Sequence, residues 1–446
     1  MGEKVSFREK LAYGVGDGGC NFVWTTISSF LVLYYTDSVG LSAAVVGTIM
    51  LITRILDAFT DIGMGAIIDR THTKWGKARP WVLWSSLPMA IGLILLFNVP
   101  GNLGTSGKTI YTFLTYLFIT SIAYTASNLS YNSLLSLITT EQNDRTTMSS
   151  IRFICTLIAI LFISFTTMKF VAKFGWGGTS VIFGIIAFVL LLITFFGTRE
   201  RYVPIGTKEQ SHITFGQSVK ILFQNKYFIF AALLFVVNYA AIGVTGGIGI
   251  YYARDVLGNA DFFGTLTLAG MFPILIGLPI FPALAKKYGK WVCLMGGYIL
   301  QIIGLVIIIA MPTNLTAVLA GLVIKGVGSV PHTAGLFALV ADVVDYGEWK
   351  TNVRIDGLTY SATSFGMKVG TGIGTAMVGW MLAFGKYDAA ASAQGDNALR
   401  AMKALYAYIP LTLVILGVMV LSFLNIDKIY PIITKDLEKR RAKACE

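Results

Sequence analysis

Charge is scarce in this chain. Asp, Glu, Lys and Arg make up 13% of its 446 residues, against 55% hydrophobic residues, where a soluble globular chain carries about 25% charged residues. The shortage excludes an ordinary soluble fold and indicates a polytopic membrane protein, as does a mean hydropathy of +0.70. Cysteine is scarce as well. Cys20, Cys155, Cys293 and Cys445 are scattered without CxxC or CxxH spacing, which argues against a disulfide framework and a cysteine metal cluster. His72, His212 and His332 lie too far apart to form a site by spacing; each reads as a solvated loop residue or a satisfied buried one. No cleavable leader is expected, because Met1–Lys10 is charged and the apolar run after it is too long for a signal core. No nucleophile–base pair or metal spacing stands out, so an intramembrane enzyme has no support.

Acidic residues are outnumbered 23 to 35, giving a net charge of +12. That excess does not indicate nucleic acid, because the Lys and Arg fall mostly in short loops between apolar runs.

What the chain has in abundance is long apolar runs. A spanning helix needs about 20 apolar residues, and twelve runs meet that length: 11–36, 41–68, 81–99, 110–138, 151–170, 178–197, 227–252, 263–284, 292–311, 315–341, 358–384 and 405–425. A short turn, Phe174–Gly178, separates the fifth from the sixth. The expected fold is an all-α membrane protein of twelve transmembrane helices in two six-helix halves. The organisation is 1–198 for the first bundle, 199–224 for a central cytoplasmic loop, 225–428 for the second bundle and 429–446 for a cytoplasmic tail. Of 35 basic residues, 24 fall on the side that holds both termini, seven on the other, and four (Arg54, Arg152, Lys325, Lys368) within spans. The bias places the termini in the cytoplasm. Basic, Gly-containing loops recur after the second span (Gly65–Arg79) and the eighth (Pro282–Trp291). Such a parallel repeat belongs to transporters that bind substrate at the midplane. The glycine runs Gly14–Gly19 and Gly370–Gly374 follow no predicted strand and lack a Walker-type ending. They read as small residues for close helix packing or a rocking hinge.

The second span carries Arg54, Asp57, Thr60 and Asp61. Arg54, Asp57 and Asp61 share a helix face by their i, i+3 and i, i+4 spacing. An ionised group at the bilayer centre costs roughly 2.5–3.5 kcal/mol on insertion scales and persists only with a partner or a task. Two carboxylates beside a threonine read as a small-cation site or a proton relay, and Thr125 of the fourth span is placed to offer a hydroxyl oxygen. The first span carries Asp17, Asn21 and Trp24; Asp17, one turn before Asn21, reads as a substrate ligand or as the partner of a cation. Asn21 and Trp24 share a face and make a sugar-binding pair, an amide for hydroxyls and an aromatic plate for the ring; the alternative is helix–helix hydrogen bonding. Tyr124, Asn128 and Asn132 step by four along the fourth span, with Tyr131 at the border. A lipid-bathed helix would not carry that stripe, so it is expected to face a cavity.

Arg152 and Lys368 are lone intramembrane cations. Each needs a carboxylate, for which Asp57 and Asp61 are available, or else contacts the substrate. Lys368 is the natural counter-ion across the two halves, and Lys325 is a weaker candidate. After the tenth span, Asp342, Asp345 and Glu348 line one face at i, i+3 and i+6. With Arg145, Arg354 or the basic loops they would form gating ion pairs; a solvated helix end is the other reading.

The loop Gly65–Arg79 resembles the signature loop of the major facilitator superfamily. Arg54–Asp61, Trp75–Trp81, Ala341–Lys350 and Val353–Ser361 are together similar to the glycoside–pentoside–hexuronide:cation symporters, whose type member is melibiose permease, and the resemblance covers nearly the whole chain. It implies a cation site at Asp57, Asp61 and Thr125, with Thr60 where the type member has an amide. It also matches Lys368 and Arg152 to the family's intramembrane lysine and arginine. Where the type member clamps its galactoside with two aspartates, this chain has Asn21 and Asn128, and Asn132 stands in place of a stacking tryptophan. Removing two negative charges makes the pocket tolerant of an acidic sugar, and Val353–Ser361 looks closer to the glucuronide and xyloside carriers. The expectation is a monomeric secondary symporter of the bacterial inner (plasma) membrane. It needs no cofactor beyond a coupling Na⁺, Li⁺ or H⁺ and binds no nucleic acid. A uniporter, a non-transporting sugar sensor and a glycoside-cleaving membrane enzyme are the rivals.

Overall fold

The computed structural model describes residues 5–201, 222, 224–351, 356–391, 393–427 and 429–445. They are helical almost throughout, with one isolated bridge, Thr73 to Gly76, as the only β pairing among the described residues. The elements are α1 (Phe7–Leu33), α2 (Ala43–Arg70), α3 (Arg79–Leu96), α4 (Thr105–Ile138), α5 (Gln142–Gly197) and α6 (Lys226–Val256). They continue with α7 (Phe262–Tyr288), α8 (Lys290–Ala310), α9 (Leu315–Thr351), α10 (Asp356–Phe384), α11 (Asp396–Phe423) and α12 (Tyr430–Cys445). Among the described residues, nine helices are long and apolar enough to cross a membrane. That is fewer than the twelve runs read from the sequence, and part of the difference lies in α5. It runs from the fifth predicted span into the sixth and breaks once, at Gly175, where φ is +69°. Glycine takes that left-handed conformation without the Cβ penalty other residues meet. The next residue, Trp176, stacks on Phe97 at 5.6 Å and lies 5.5 Å from Tyr34. α1 and α10, also counted among the twelve, are helices of 27 and 29 residues.

The chain divides into two compact units. The first comprises Met1–Gly206, Gly246–Thr267 and Thr375–Met402; the second comprises Thr207–Thr245, Leu268–Gly374 and Lys403–Glu446.

In the first unit, α1 lies along both arms of α5. Gly14 faces Ile151, and Gly19 faces the Ala187 carbonyl, which a Cβ would approach to 3.1 Å. Thr194 Oγ1 donates to the Ala12 carbonyl at 2.8 Å. The first glycine run therefore serves packing. At one end of this unit Asp37 gathers three partners. Arg254 Nη1 lies 2.7 Å from Asp37 Oδ2, and the Tyr387 hydroxyl lies 2.8 and 2.9 Å from the two carboxylate oxygens. Thr36 Oγ1 donates to Oδ1 at 2.7 Å and lies 2.9 Å from the Tyr251 hydroxyl. Asp37 and Arg254 both sit on π-helical turns, Tyr34–Ser38 and Tyr252–Val256. Such wide turns recur at functional sites.

In the second unit the core gathers Phe235, Leu294, Tyr298, Leu305, Leu336 and Val343. Gly297 meets the Gly328 carbonyl, so α8 and α9 touch backbone to backbone, and a Cβ there would come within 2.6 Å of that oxygen. Gly370 packs against Val236 and Gly374 against Ala240, which gives the second glycine run its packing role too. His332 is buried, with Nδ1 3.0 Å from the Gly328 carbonyl. Cys20, Cys155 and Cys293 are free thiols.

Candidate functional site

α2 presents two chemically distinct faces. Ile52, Ile55, Leu56 and Phe59 are exposed, while Thr53, Arg54, Asp57 and Ala58 are buried. The helical period that turns four large apolar side chains outward turns Arg54 and Asp57 inward. Each is 2% exposed. Arg54 Nη1 is 3.4 Å from Asp57 Oδ2, and an ion pair so buried persists only where geometry and further polar contacts offset desolvation.

Those further contacts come from α4. Thr125 Oγ1 lies 2.9 Å from Asp57 Oδ1 and 3.3 Å from Asp61 Oδ1. The Thr120 carbonyl is 3.2 Å from the same hydroxyl. Phe118–Tyr124 forms a π-helical turn that delivers Thr125 to this position. A hydroxyl has one proton, so Thr125 satisfies one acceptor at a time and keeps lone pairs for a cation. Two carboxylates and one hydroxyl oxygen offer hard oxygen donors of the kind a small monovalent cation takes. Thr60 donates to the Asp57 carbonyl at 2.9 Å, so its proton is committed to the backbone rather than to Asp61.

The polar stripe on α4 is continuous. Asn132 Nδ2 donates to Asn128 Oδ1 at 2.9 Å, and Asn128 Nδ2 to the Tyr124 hydroxyl at 3.4 Å. The Tyr124 ring lies 5.0 Å from Trp24 of α1. Trp24, Tyr124 and Asn128 are half-buried and Asn132 is exposed, so hydrogen-bonding groups and an aromatic plate line one surface. Asn21 Nδ2 donates to the Asp17 carbonyl at 2.8 Å. Tyr131 is turned away from this surface. It is fully buried, stacks on Tyr13 at 4.7 Å and donates to the Tyr13 carbonyl. The reason is angular: Tyr131 lies three residues past Asn128 and one before Asn132, on the edge that meets α1.

Arg152 takes its carboxylate from Asp17, the second of that residue's two readings, rather than from Asp57 or Asp61. Nη2 lies 3.1 Å from Asp17 Oδ1, and the guanidinium sits 5.1 Å from the Tyr131 ring centroid. Thr156, one turn beyond on α5, donates to Asp17 Oδ2. Asp17 and Arg152 thus neutralise each other between α1 and α5. Lys368 is half-buried on α10 and belongs to the second unit. Lys325 Nζ lies 3.5 Å from Thr245 Oγ1. Of the acids on α9, Asp342 holds Lys290 at 2.6 Å and Asp345 accepts from the Tyr430 hydroxyl at 2.9 Å. These bonds tie α9 to α8 and α12 inside the second unit. Glu348 is half-buried on the same helix. Arg145 Nε donates to the Thr139 carbonyl at 2.8 Å. Arg354 lies outside the described residues.

Tyr116, whose ring lies 5.7 Å from the Arg54 guanidinium carbon, Thr156 and the cluster at Asp37 are not among the residues expected from the sequence. Thr156 had a signal, one turn from Arg152. Asp37 and Arg254 sit at span ends, where charge reads as solvated loop.

The MFS/sugar transport protein family matches residues 12–428. The isoprimeverose transporter of Lactiplantibacillus pentosus is 33% identical, over 98% of this chain and 93% of its own. The putative glycoside/cation symporter YagG of Escherichia coli (strain K12) is 31% identical, over 98% and 96% respectively. The fold is shared with the solved nucleoside transporter NupG, with a TM-score of 0.63 and 15% identity over 92% of this chain and 98% of that one. These relatives are transporters and not enzymes. The chain is a multi-pass membrane sugar transporter that belongs to the MFS/sugar transport protein family, among the glycoside–pentoside–hexuronide:cation symporters.

Proposed function

We propose that this protein is a secondary active symporter that imports a glycoside, with one monovalent cation bound at Asp57, Asp61 and Thr125. The observation that carries the reading is the Thr125 hydroxyl set between two carboxylates of a neighbouring helix, at 2.9 and 3.3 Å. Two ionised groups repel one another inside a membrane protein. A bound Na⁺, Li⁺ or H⁺ relieves that repulsion and raises sugar affinity, and the loaded carrier then rocks to the other side. Such coupling is a reciprocal binding free energy, typically about 1–3 kcal/mol. Thr60, in place of an amide, is the residue on which the choice of cation turns.

The substrate wall is Trp24, Tyr124, Asn128 and Asn132, with Asn21 beside it. Because Asp17 neutralises Arg152, the wall carries no uncompensated cation from that residue. This favours an uncharged pentoside or glucoside over a hexuronide, and it fits a relative named for isoprimeverose. In this reading the chain crosses the plasma membrane twelve times, counting α1, α10 and both arms of α5, with both termini in the cytoplasm and the monomer as the working unit.

The test is uptake of radiolabelled glycosides and glucuronides into vesicles under separately imposed Na⁺, Li⁺ and proton gradients. Accumulation of a neutral glycoside above its equilibrium level under one of them is expected. Uptake indifferent to all three would make the protein a facilitator.

A further inference from the structure

We infer that the second unit holds a glycoside-binding face of its own, between α6 and α9, with Lys325 and Asn238 as its hydrogen-bonding groups. The inference rests on the reading above that the chain carries a glycoside. Lys325 places an ammonium inside a spanning helix, and such a group marks a ligand or ion path unless a counter-charge explains it. Among the described residues no carboxylate lies within ion-pair distance of it. Its neighbour is Thr245 of α6, whose Oγ1 lies 3.5 Å from Nζ. Thr245 gives its own proton to the Ala241 carbonyl at 2.8 Å, so toward Lys325 it can only accept. An ammonium has three protons, and this contact, at the long limit of a hydrogen bond, occupies one.

Asn238, seven residues before Thr245 on α6, is the complementary group. Its Nδ2 donates to the Leu234 carbonyl at 2.8 Å and to the Tyr298 hydroxyl at 2.7 Å. The Leu234 carbonyl can only accept, which fixes the orientation of the amide, and both amide protons are committed. Oδ1 is left as an acceptor on a half-buried residue. The post that holds it is firm: Tyr298 is buried, and its ring lies 3.9 Å from that of His332. Through Tyr298, Asn238 is level with His332, while Thr245 is level with Lys325. Numbers rise along α6 as they fall along α9, so the two helices run antiparallel and share this face over two turns. Seven residues of helix span about 10 Å. A donor and an acceptor that far apart suit two linked sugar rings better than one. Lys325 gives a proton to a hydroxyl oxygen of one ring, and a hydroxyl of the other gives its proton to Asn238 Oδ1. Thr245 and Lys325 are half-buried like Asn238, which leaves the face within reach of a ligand.

The experiment titrates the purified full-length chain in nanodiscs with neutral disaccharides of xylose, glucose and galactose, with the matching methyl monosaccharides, and with an aldobiouronic acid. The disaccharide that binds the parent most tightly is carried forward. Lys325→Met and Asn238→Leu should each weaken it about three- to tenfold, and Lys325→Arg should recover part of the loss. A methyl monosaccharide cannot span the face, so it should lose affinity in at most one of the two variants. The aldobiouronic acid should lose no more than the neutral disaccharide in Lys325→Met. Unchanged disaccharide affinity in both variants overturns the inference, as does equal loss of the monosaccharide in both or a loss confined to the acid. Where a variant fails to fold, a diazirine-bearing form of the disaccharide is photolysed on the parent instead. Label on peptides of α6 or α9 is expected, and label confined to peptides of the first unit overturns the inference. A disaccharide affinity indifferent to Na⁺, Li⁺ and H⁺ overturns the symport reading and leaves this face standing. A parent that binds no sugar of the panel overturns both.

Discussion

The hydroxyl of Thr125 lies 2.9 Å from Asp57 Oδ1, a bond that joins α4 to α2 across the buried interior of the first unit. A hydrogen bond to a buried charged group is worth about 1.5–3 kcal/mol. Thr125→Val keeps the shape and removes both the proton and the lone pairs. Cation affinity should fall about tenfold or more, the equivalent of roughly 1.4 kcal/mol, as read from the cation concentration needed for half-maximal thermal stabilisation.

Arg152 and Asp17 form a pair in which each is the other's counter-ion, with Thr156 as a third member. Removing Arg152, itself half-buried, strands the Asp17 carboxylate, which is 7% exposed, at a cost below the roughly 3–5 kcal/mol typical of fully buried pairs. Arg152→Gln is therefore expected to lower the unfolding temperature sharply, and Asp17→Asn with Arg152→Gln should recover part of the loss. A double-mutant cycle with no interaction between the positions would contradict the pairing.

Gly76 has φ of +109°, and a Cβ added there would run into the Glu200 carboxylate. That carboxylate accepts the backbone N–H groups of Lys77, Ala78 and Arg79 at 2.7–2.8 Å. It thus satisfies donors at the start of α3, where negative charge is also favoured. Gly76→Ala forces a strained backbone, at about 1–3 kcal/mol, and displaces the cap. Both Gly76→Ala and Glu200→Ala should reduce the yield of folded protein, measured by size-exclusion chromatography after detergent extraction.

At Asp37 the two distant partners are Arg254 and Tyr387, 217 and 350 residues away in the chain. Burial pushes the Tyr387 phenol above its ordinary range, so it remains a neutral donor across the working pH range. Tyr387→Phe removes the bond given to Asp37 and the one accepted from Arg254, and Arg254→Gln removes the ion pairs with Asp37 and Asp255. Both should lower the unfolding temperature, Arg254→Gln the more, and the two effects should be less than additive because they share Asp37.

The sequence made much of this site legible, for identifiable reasons. Asp57 and Asp61 stood out because charge inside an apolar run is costly and their spacing puts them on one face. The same helical period joined Tyr124, Asn128 and Asn132. The choice of Asp17 over Asp57 and Asp61 as the partner of Arg152 is not legible in the sequence, because periodicity does not rank contacts between helices. Tyr131 borders the polar stripe in the sequence, but its ring stacks on Tyr13. The period that aligns Arg54 with Asp57 says nothing of Trp24 on α1, whose ring centroid lies 4.0 Å from the guanidinium carbon. The Asp37 cluster escaped notice because charges at span ends are usually solvated. The fusion of two runs into α5 was foreshadowed only by the shortness of the turn at Gly175.

The central claim is that Asp57 and Asp61 couple a cation to sugar movement, and the most direct measurement compares the parent with Asp61→Asn in vesicles. Under the cation gradient that drives the parent, Asp61→Asn should fail to accumulate the labelled glycoside while still exchanging it across the membrane. Gradient-driven accumulation by Asp61→Asn at the parent's level would contradict the account.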